Sequence, residues 1–206
     1  VNNLREFVRL GNNLSGSSPK EIRRLSILRV IDLSDNFLSG AIPSTIGNMS
    51  NFNIFILSSN TLSGSIPLSM WNMTSLSLLF LYSNELYGSI PSSIENLANL
   101  ELLAFDGNHL TRPIPSTIGN LTKLTQLYMG FNNFSGSIPA SIGNPINLEV
   151  LGLQGNNLSG YILTTIGNLK SLDTLELYAN KLNGSIPMVM NNITNFYYLL
   201  LSENDF

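Results

Sequence analysis

The side chains that could carry out acid–base chemistry are few in this sequence. His109 is the only histidine, and Asp106 lies three residues before it. A histidine beside a carboxylate is part of a catalytic triad, but no serine stands at a spacing that indicates a nucleophile. The absence of Cys excludes a thiolate nucleophile and a thiolate metal site. Metal-ligand clusters, paired carboxylates and phosphate-binding loops are also missing, so we predict a non-enzymatic protein with no cofactor and no metal.

Recognition chemistry is better represented. Aromatic side chains with a polar end are typical of binding surfaces, and several occur at related positions of a 24-residue period, together with acids and amides. We predict that ligand binding uses Phe80, Tyr82, Asp106, Tyr128, Gln154, Glu176, Tyr178 and Tyr198. Two apolar patches are expected, one of Ile54, Ile56, Leu78, Phe80 and Tyr82, the other of Tyr178, Tyr198 and Leu200. Gly130 and Gly152 predict a shallow trough beside Tyr128 and Gln154.

Modification chemistry is encoded by N-x-S/T sequons. Eight occur, at Asn13, Asn48, Asn72, Asn120, Asn133, Asn157, Asn183 and Asn192. None falls on a position predicted to face a ligand, so glycans there would be sterically tolerable and would fit a secreted protein. We expect some of these sites to be glycosylated.

The elements that position these side chains are set by an internal repeat. Its clearest column is an asparagine that recurs once per period without a break: Asn36, Asn60, Asn84, Asn108, Asn132, Asn156, Asn180 and Asn204. Apolar, Gly and Pro columns keep the same phase, and the template reads LxxLxLxxNxLxGxIPxxIGNLxx. We predict that each Asn satisfies backbone groups inside a turn, because its amide offers two donors and an acceptor. The first unit is predicted to fit only with a one-residue deletion near Gly11.

The first half of the template predicts one short strand per repeat. In Leu79-Phe80-Leu81 the two leucines point to one face and Phe80 to the other. Stacked strands form a parallel sheet with strands about 4.8 Å apart. The predicted strand centres are Leu33, Leu57, Leu81, Phe105, Met129, Leu153, Leu177 and Leu201. The predicted fold class is an α/β-type repeat solenoid: a right-handed coil with a parallel inner sheet, about eight to nine coils and uncapped ends.

The second half of the template predicts an extended segment and then a short helical turn on the outer side. Ser or Thr follows each proline column, at positions 45, 69, 93, 117, 141 and 165. These hydroxyls are interpreted as helix caps. The alternative is a flat ice-binding array, although Val189 interrupts the column.

Composition excludes further classes of protein. The net charge of −3 argues against a nucleic-acid-binding protein, and no apolar run approaches the roughly 18 residues of a membrane span. Six of the ten basic residues lie in the segment that ends at Arg29. This indicates either a docking patch for an acidic partner or a solvated end coil. The six are Arg5, Arg9, Lys20, Arg23, Arg24 and Arg29.

The consensus resembles the plant-specific leucine-rich repeat, as in Leu38-Ser39-Gly40-Ala41-Ile42-Pro43 and Ile118-Gly119-Asn120-Leu121. It is similar to the ectodomains of plant receptor-like kinases and receptor-like proteins. The resemblance implies an extracellular module at the cell surface, or secreted into the apoplast. Its concave face would bind a peptide or protein ligand, with a co-receptor ectodomain recruited in the full protein, in defence or developmental signalling. Secreted inhibitors of cell-wall-degrading enzymes and plant antifreeze proteins share the repeat, and both stay open as alternatives.

The whole chain, residues 1–206, is predicted to be a single leucine-rich repeat domain. The resemblance implies Cys-paired caps at both ends, and this sequence has no Cys. A solenoid needs polar caps over its open core. We therefore expect a partial ectodomain.

Overall fold

Two parallel sheets and a row of 3₁₀ helices build the molecule. A computed structural model describes residues 4–17 and 27–206. In these ranges nine strands form one sheet in chain order: Glu6–Val8, Val30–Asp32, Ile54–Ile56, Leu78–Phe80, Leu102–Ala104, Gln126–Tyr128, Val150–Gly152, Thr174–Glu176 and Tyr198–Leu200. Neighbouring strands pair one full repeat apart, as Phe55 does with Ile31 and Leu79. Each residue of this sheet therefore pairs with the residues one repeat before and one repeat after it in the sequence. The predicted solenoid of parallel strands is confirmed.

The strands begin and end earlier than predicted. The strand predicted around Leu33 is Val30–Asp32, so the predicted centres are wrong by two residues in every repeat. Parallel pairing continues beyond the strand, since Leu33 N–H donates to Ile56 O at 3.0 Å. The backbone bonds to the next coil continue through Asn36, whose N–H donates to Ser59 O at 3.2 Å, while Asp35 takes φ 53° and turns the chain. The equivalent residue has a positive φ in each of the following repeats, and this fixes the end of the strand.

A second sheet, which the repeat pattern did not predict, lies beyond the asparagine turn. Within the described ranges its eight strands are Ser15–Ser17, Phe37–Ala41, Thr61–Ser65, Glu85–Gly88, His109–Arg112, Asn133–Gly136, Asn157–Gly160 and Lys181–Leu182. Here paired residues are two positions closer in the sequence than one full repeat, as Ser39 and Thr61 are. Each coil is therefore offset by two residues from its neighbour on this side, whereas the nine-strand sheet is in phase.

The outer turns are 3₁₀ helices: Ser44–Asn48, Leu68–Asn72, Ser92–Asn96, Ser116–Asn120, Ala140–Gly143, Thr164–Asn168 and Met188–Asn192. The prediction that these hydroxyls cap the helices is wrong. In Ser116–Asn120 the N-cap residue is Pro115, which precedes the helix, and no side chain makes a capping hydrogen bond. The hydroxyls link coils instead. Thr117 Oγ1 donates to Ser92 O at 2.8 Å, and Ser69 and Ser141 make the equivalent bond.

The helix glycine column has a packing reason. A Cβ on Gly119 would lie 2.3 Å from Ser141 O in the next helix, and Gly47 and Gly143 meet the next coil in the same way. Only glycine lets consecutive helices approach this closely. Trp71 occupies the same column and is fully buried.

Every ladder asparagine ties its coil to the preceding one. Asn108 Nδ2 donates to Leu81 O at 3.0 Å and to Phe105 O at 3.1 Å, and its Oδ1 accepts from Leu86 N–H at 3.0 Å. The same set of bonds is made by Asn36, Asn60, Asn84, Asn132, Asn156, Asn180 and Asn204. One side chain thus replaces the backbone partners that the turn removes.

The first coil keeps this register without a gap, so the predicted deletion near Gly11 is wrong. Glu6–Val8 pairs with Val30–Asp32 in the same phase as the later strands of this sheet. Asn12 lies one full repeat before Asn36, and its Nδ2 donates to Arg9 O and Leu10 O as the ladder asparagines do. Arg9 stands in an apolar column, which obscured this alignment in the sequence.

The apolar columns form one continuous core. Leu79, Leu81, Leu86 and Ile94 of a single coil are all fully buried, and equivalent residues of neighbouring coils stack on them. Among the described residues no helix is long and apolar enough to cross a membrane.

Candidate ligand-binding face

Alternate residues of the nine-strand sheet point away from the core, and the next alternate residue after each strand, such as Tyr82, continues the row. We call the surface that these residues form the ligand face. Its first apolar patch lies where predicted: Ile54, Ile56, Leu78 and Phe80 are half-buried. The rings of Phe80 and Tyr82 pack edge to face, with centroids 6.3 Å apart. Because Tyr82 keeps 36% of its surface exposed, the pair presents a rigid aromatic edge to solvent.

Asp106 lies on the same face, one coil further along. Its Oδ1 accepts a hydrogen bond from Gly130 N–H at 2.8 Å. Burial raises the pKa of Asp106 to about 6; hydrogen bonds from the Gly130 and Asp106 backbone amides oppose this rise, and the charge of Glu176 adds to it. Because burial disfavours the charged form of this carboxyl, a cation placed beside it would stabilise that form.

The predicted trough at Gly130 is wrong. A Cβ on Gly130 would lie 2.5 Å from Gln154 Cδ, so the side-chain amide of Gln154 already covers this glycine. Gln154 is only 7% exposed, and its Oε1 has no hydrogen-bond partner in the described structure. The surface predicted to be open at Gly130 is therefore covered by the buried amide of Gln154, whose Oε1 accepts no hydrogen bond.

Three side chains from three coils converge over Gly152 instead. The point where its Cβ would stand lies 3.1 Å from Gln154 Oε1, 3.5 Å from Tyr128 Cδ1 and 3.6 Å from Glu176 Oε2. Tyr128 donates its hydroxyl to Gln126 Oε1 at 3.2 Å. Burial raises the pKa of the Tyr128 hydroxyl, and the nearby carboxylates of Asp106, Glu176 and Asp173 raise it further.

Phe131 is a contact residue that the repeat analysis missed. Its ring packs edge to face on Tyr178, with centroids 6.3 Å apart, although 53% of Phe131 is exposed. The residue has φ 50°, which bulky side chains rarely adopt. The ring lies over Gly155, where a Cβ would be 2.7 Å from Phe131 Cδ1. A signal was available, because the column is otherwise Asp, Ser, Gly, Ala or Glu.

Tyr198 and the other end of the chain lie apart from this cluster. The ring of Tyr198 packs on Tyr197, with centroids 4.6 Å apart, and Tyr198 pairs with Thr174 across the sheet. Tyr198 and Leu200 are exposed. The structure therefore brings together Asp106, Tyr128, Gln154 and Glu176, but keeps Tyr198 at the edge of the ligand face.

The remaining candidate chemistry is dispersed. His109 begins a strand of the other sheet and is exposed, while Asp106 is directed to Gly130, so the two side chains do not form a catalytic pair. No group of three or more possible metal-binding side chains occurs in the described ranges. Of the basic residues, Arg5 and Arg29 line a shallow depression with Ile27 and Asn51. Lys20, Arg23 and Arg24 lie outside the described residues.

The sequons lie off the ligand face. Seven of their asparagines are exposed: Asn13, Asn48, Asn72, Asn120, Asn133, Asn183 and Asn192. Asn157 is half-buried, and Asn120 Nδ2 donates to Glu95 Oε2 at 2.7 Å. Glycosylation stays a prediction, and Asn157 and Asn120 are the least available acceptors.

Known proteins with a similar sequence or structure contain leucine-rich repeats. The leucine-rich repeat family model matches residues 28–49, 99–121, 123–145 and 147–169. The ectodomain of the Arabidopsis thaliana receptor kinase GASSHO1/SCHENGEN3, solved with CASPARIAN STRIP INTEGRITY FACTOR 2, is 37% identical with a TM-score of 0.92. The similarity covers 94% of this chain and 23% of that one. The sequence has no significant match among curated proteins.

Two further solved structures are similar. The Arabidopsis receptor kinase HAESA, in complex with the peptide hormone IDA and the co-receptor SERK1, is 32% identical with a TM-score of 0.94, over 98% of this chain and 34% of that one. A plant ice-binding protein is 27% identical with a TM-score of 0.88, over 98% of this chain and 65% of that one. This chain thus spans 23% to 34% of the two receptor chains. The chain therefore contains leucine-rich repeats, and its fold matches that of the plant receptor kinase ectodomains to which it is similar.

Proposed function

We propose that this chain is an extracellular ligand-recognition segment of a plant cell-surface receptor, and that it binds a peptide or protein ligand across the ligand face. The proposal includes a co-receptor ectodomain as a second partner and treats residues 1–206 as part of one leucine-rich repeat domain. The similar GASSHO1/SCHENGEN3 and HAESA structures contain a bound factor and a peptide hormone, respectively. These similarities support a binding role at the cell surface.

The observation that carries the proposal is the row of partly or largely exposed aromatic side chains on the ligand face. Tyr82 and Tyr178 are four strands apart, or about 19 Å at sheet spacing. An extended peptide covers that span with roughly six residues. Phe80 and Phe131 hold the two tyrosine rings by edge-to-face contacts. Little side-chain entropy remains to be lost at either end when a ligand binds.

The test is selection of peptides from a phage-displayed random library on the immobilised 206-residue chain. We expect Tyr82→Ala and Tyr178→Ala each to weaken the selected peptides by about 2 kcal/mol, or roughly 30-fold, because buried aromatic anchors dominate interfaces. The matched control is Tyr87→Ala, since Tyr87 is 57% exposed on a strand of the other sheet. Selected peptides that lose affinity with Tyr87→Ala, and keep it with the two ligand-face variants, would refute the proposal.

Ice binding is the second candidate, supported by the similarity to the plant ice-binding protein. The eight-strand sheet carries a hydroxyl at the same position of five repeats: Ser39, Ser63, Thr111, Ser135 and Ser159. Tyr87 interrupts this column, and charged or bulky residues such as Glu85 and Phe37 lie beside it. A measurement of thermal hysteresis separates the two functions: a gap between melting and freezing points that Ser135→Tyr abolishes would favour ice binding.

A further inference from the structure

Two of the three groups that converge over Gly152 bring an acceptor oxygen to this point, Gln154 Oε1 and Glu176 Oε2. Gln154 Oε1 is buried to more than nine-tenths and has no partner. An unpaired buried acceptor costs about 1–3 kcal/mol, so its presence here needs a reason. The atom is directed to the point above Gly152, where Glu176 Oε2 and the Tyr128 ring also arrive.

The charge at this point is negative and unbalanced. No hydrogen bond or ion pair with another described residue neutralises Glu176. Asp106 lies close enough for the Glu176 charge to act on it, and its Oδ1 is already bonded to Gly130 N–H. Two carboxylates and one unpaired amide oxygen therefore face the ligand side, and neither carboxylate has an ion-pair partner among the described residues.

A ligand that complements this arrangement must bring positive charge and several donors. A metal ion is a poor candidate, because no group of three metal-binding side chains exists in the described part of the chain. A guanidinium offers five N–H donors in a planar fork and stacks on aromatic rings. An ammonium offers the same charge but neither the fork nor the plane.

We infer that the convergence over Gly152 is a subsite for an arginine side chain of the ligand. Glu176 accepts from one edge of the guanidinium and Gln154 Oε1 from another, while the Tyr128 ring lies against its plane and Asp106 adds negative charge. The inference depends on the proposed ligand face and names the chemistry that part of this face selects.

The experiment uses the peptides selected on the wild-type chain whose binding needs Tyr82 and Tyr178. We expect an arginine at a shared position in these peptides. Its replacement by citrulline, which keeps the shape and removes the charge, should lower affinity 10-fold or more, as expected for a charge pair at an interface. Glu176→Gln should cause a similar loss with the arginine peptide and little further loss with the citrulline peptide. Glu85→Gln, the same change on the other sheet, should have no effect.

A second variant separates a binding role from a structural one. Gln154→Met keeps a side chain of similar volume over Gly130 and removes the unpaired acceptor. If the amide serves only the fold, the variant loses stability. We expect instead an unchanged or higher thermal midpoint with weaker binding of the arginine peptide, because removing an unpaired buried acceptor is neutral or stabilising.

The outcomes are distinguishable. Peptides that need Tyr82 and Tyr178, but lack arginine or tolerate citrulline, overturn the subsite and leave the ligand face intact. A lysine peptide that binds as tightly as the arginine peptide overturns the guanidinium assignment. Selected peptides that ignore Tyr82 and Tyr178, or a library that yields no binders, count against the ligand face and the subsite together.

Discussion

At the scale of single residues, Asp106 lowers the stability of the folded protein at neutral pH. Burial raises the pKa of this carboxyl from 3.8 to about 6. Its protonated form is therefore favoured in the folded state, and the resulting stability is complete below pH 4 and lost as the pH rises through about 6. A residue that costs stability at neutral pH, on a face rich in aromatic side chains, is better explained by binding than by folding.

Asp106→Asn should consequently stabilise the protein at pH 7. The amide keeps the acceptor for Gly130 N–H and removes the partly buried charge that is repelled by Glu176. We expect a gain on the order of 1 kcal/mol after solvent screening, which shrinks towards zero at pH 4. Denaturant titrations of both proteins at pH 4, 5, 6 and 7 test this. A difference that stays constant across these pH values would show that Asp106 does not titrate in this range.

Asn108 illustrates a residue whose role is entirely internal. Its Oδ1 is the acceptor for Leu86 N–H, whereas Leu81 O and Phe105 O each keep another donor, from Asn84 and Asn132. Asn108→Ala therefore leaves one buried amide unpaired and should cost about 1–3 kcal/mol in the free energy of unfolding.

Asn108→Asp should cost more at neutral pH, because a carboxylate would face the carbonyl oxygens that Asn108 now contacts. Lowering the pH should recover part of this loss. The exposed Asn96, at a helix end, provides a control substitution to Ala. Equal denaturation midpoints for Asn108→Ala and Asn96→Ala would mean that the ladder bond contributes nothing measurable.

At the scale of elements, one position conflicts with its own backbone. Arg112 ends its strand with φ 72°, in the column where other repeats place glycine at positive φ. Left-handed backbone costs a non-glycine residue roughly 1–2 kcal/mol. Replacement by glycine removes this cost, but glycine also increases the conformational entropy of the unfolded chain, which offsets part of the stabilisation. We expect Arg112→Gly to raise the free energy of unfolding by about 0.5–1 kcal/mol.

The reverse substitution provides the comparison. Gly136 has φ 76°, and an added Cβ would contact Pro113 Cγ at 3.4 Å. Gly136→Ala should therefore destabilise, by about 1 kcal/mol or more. Chemical denaturation of the two variants measures both signs, and a loss of stability in Arg112→Gly would show that the arginine side chain makes a contribution larger than its backbone strain.

At the scale of the whole molecule, the stacked coils do not share burial evenly. Leu127, near the middle, is fully buried, whereas Leu199, in the same column of the last strand, is 42% exposed. Coils contact only their neighbours, so stability depends on how many neighbours a coil has. In the 206-residue chain, we expect amide hydrogen exchange to be slowest at Leu103 and Leu127 and much faster at Leu199. Uniform protection along the nine-strand sheet would instead indicate one cooperative unit.

Features that recur in every repeat could be predicted from the sequence, whereas features that depend on contacts between particular residues of different coils could not. The repeat columns determined the coil, the burial of its leucines and the positions of the ladder asparagines, since identical environments select identical residues. The second sheet and the hydroxyl bonds between helices were not predicted, because Ser, Thr and Gly suit many backbone conformations.

The candidate site shows the same limit more clearly. The sequence by itself placed Tyr128, Gln154 and Glu176 on one face, because side chains alternate along a strand. Only the tertiary structure decided that Gln154 lies over Gly130, that Phe131 packs on Tyr178, and that Glu176 acts on Asp106. These contacts join different coils through side chains in variable columns. Their geometry depends on rotamers and on neighbours that belong to other repeats, and no repeat pattern encodes it.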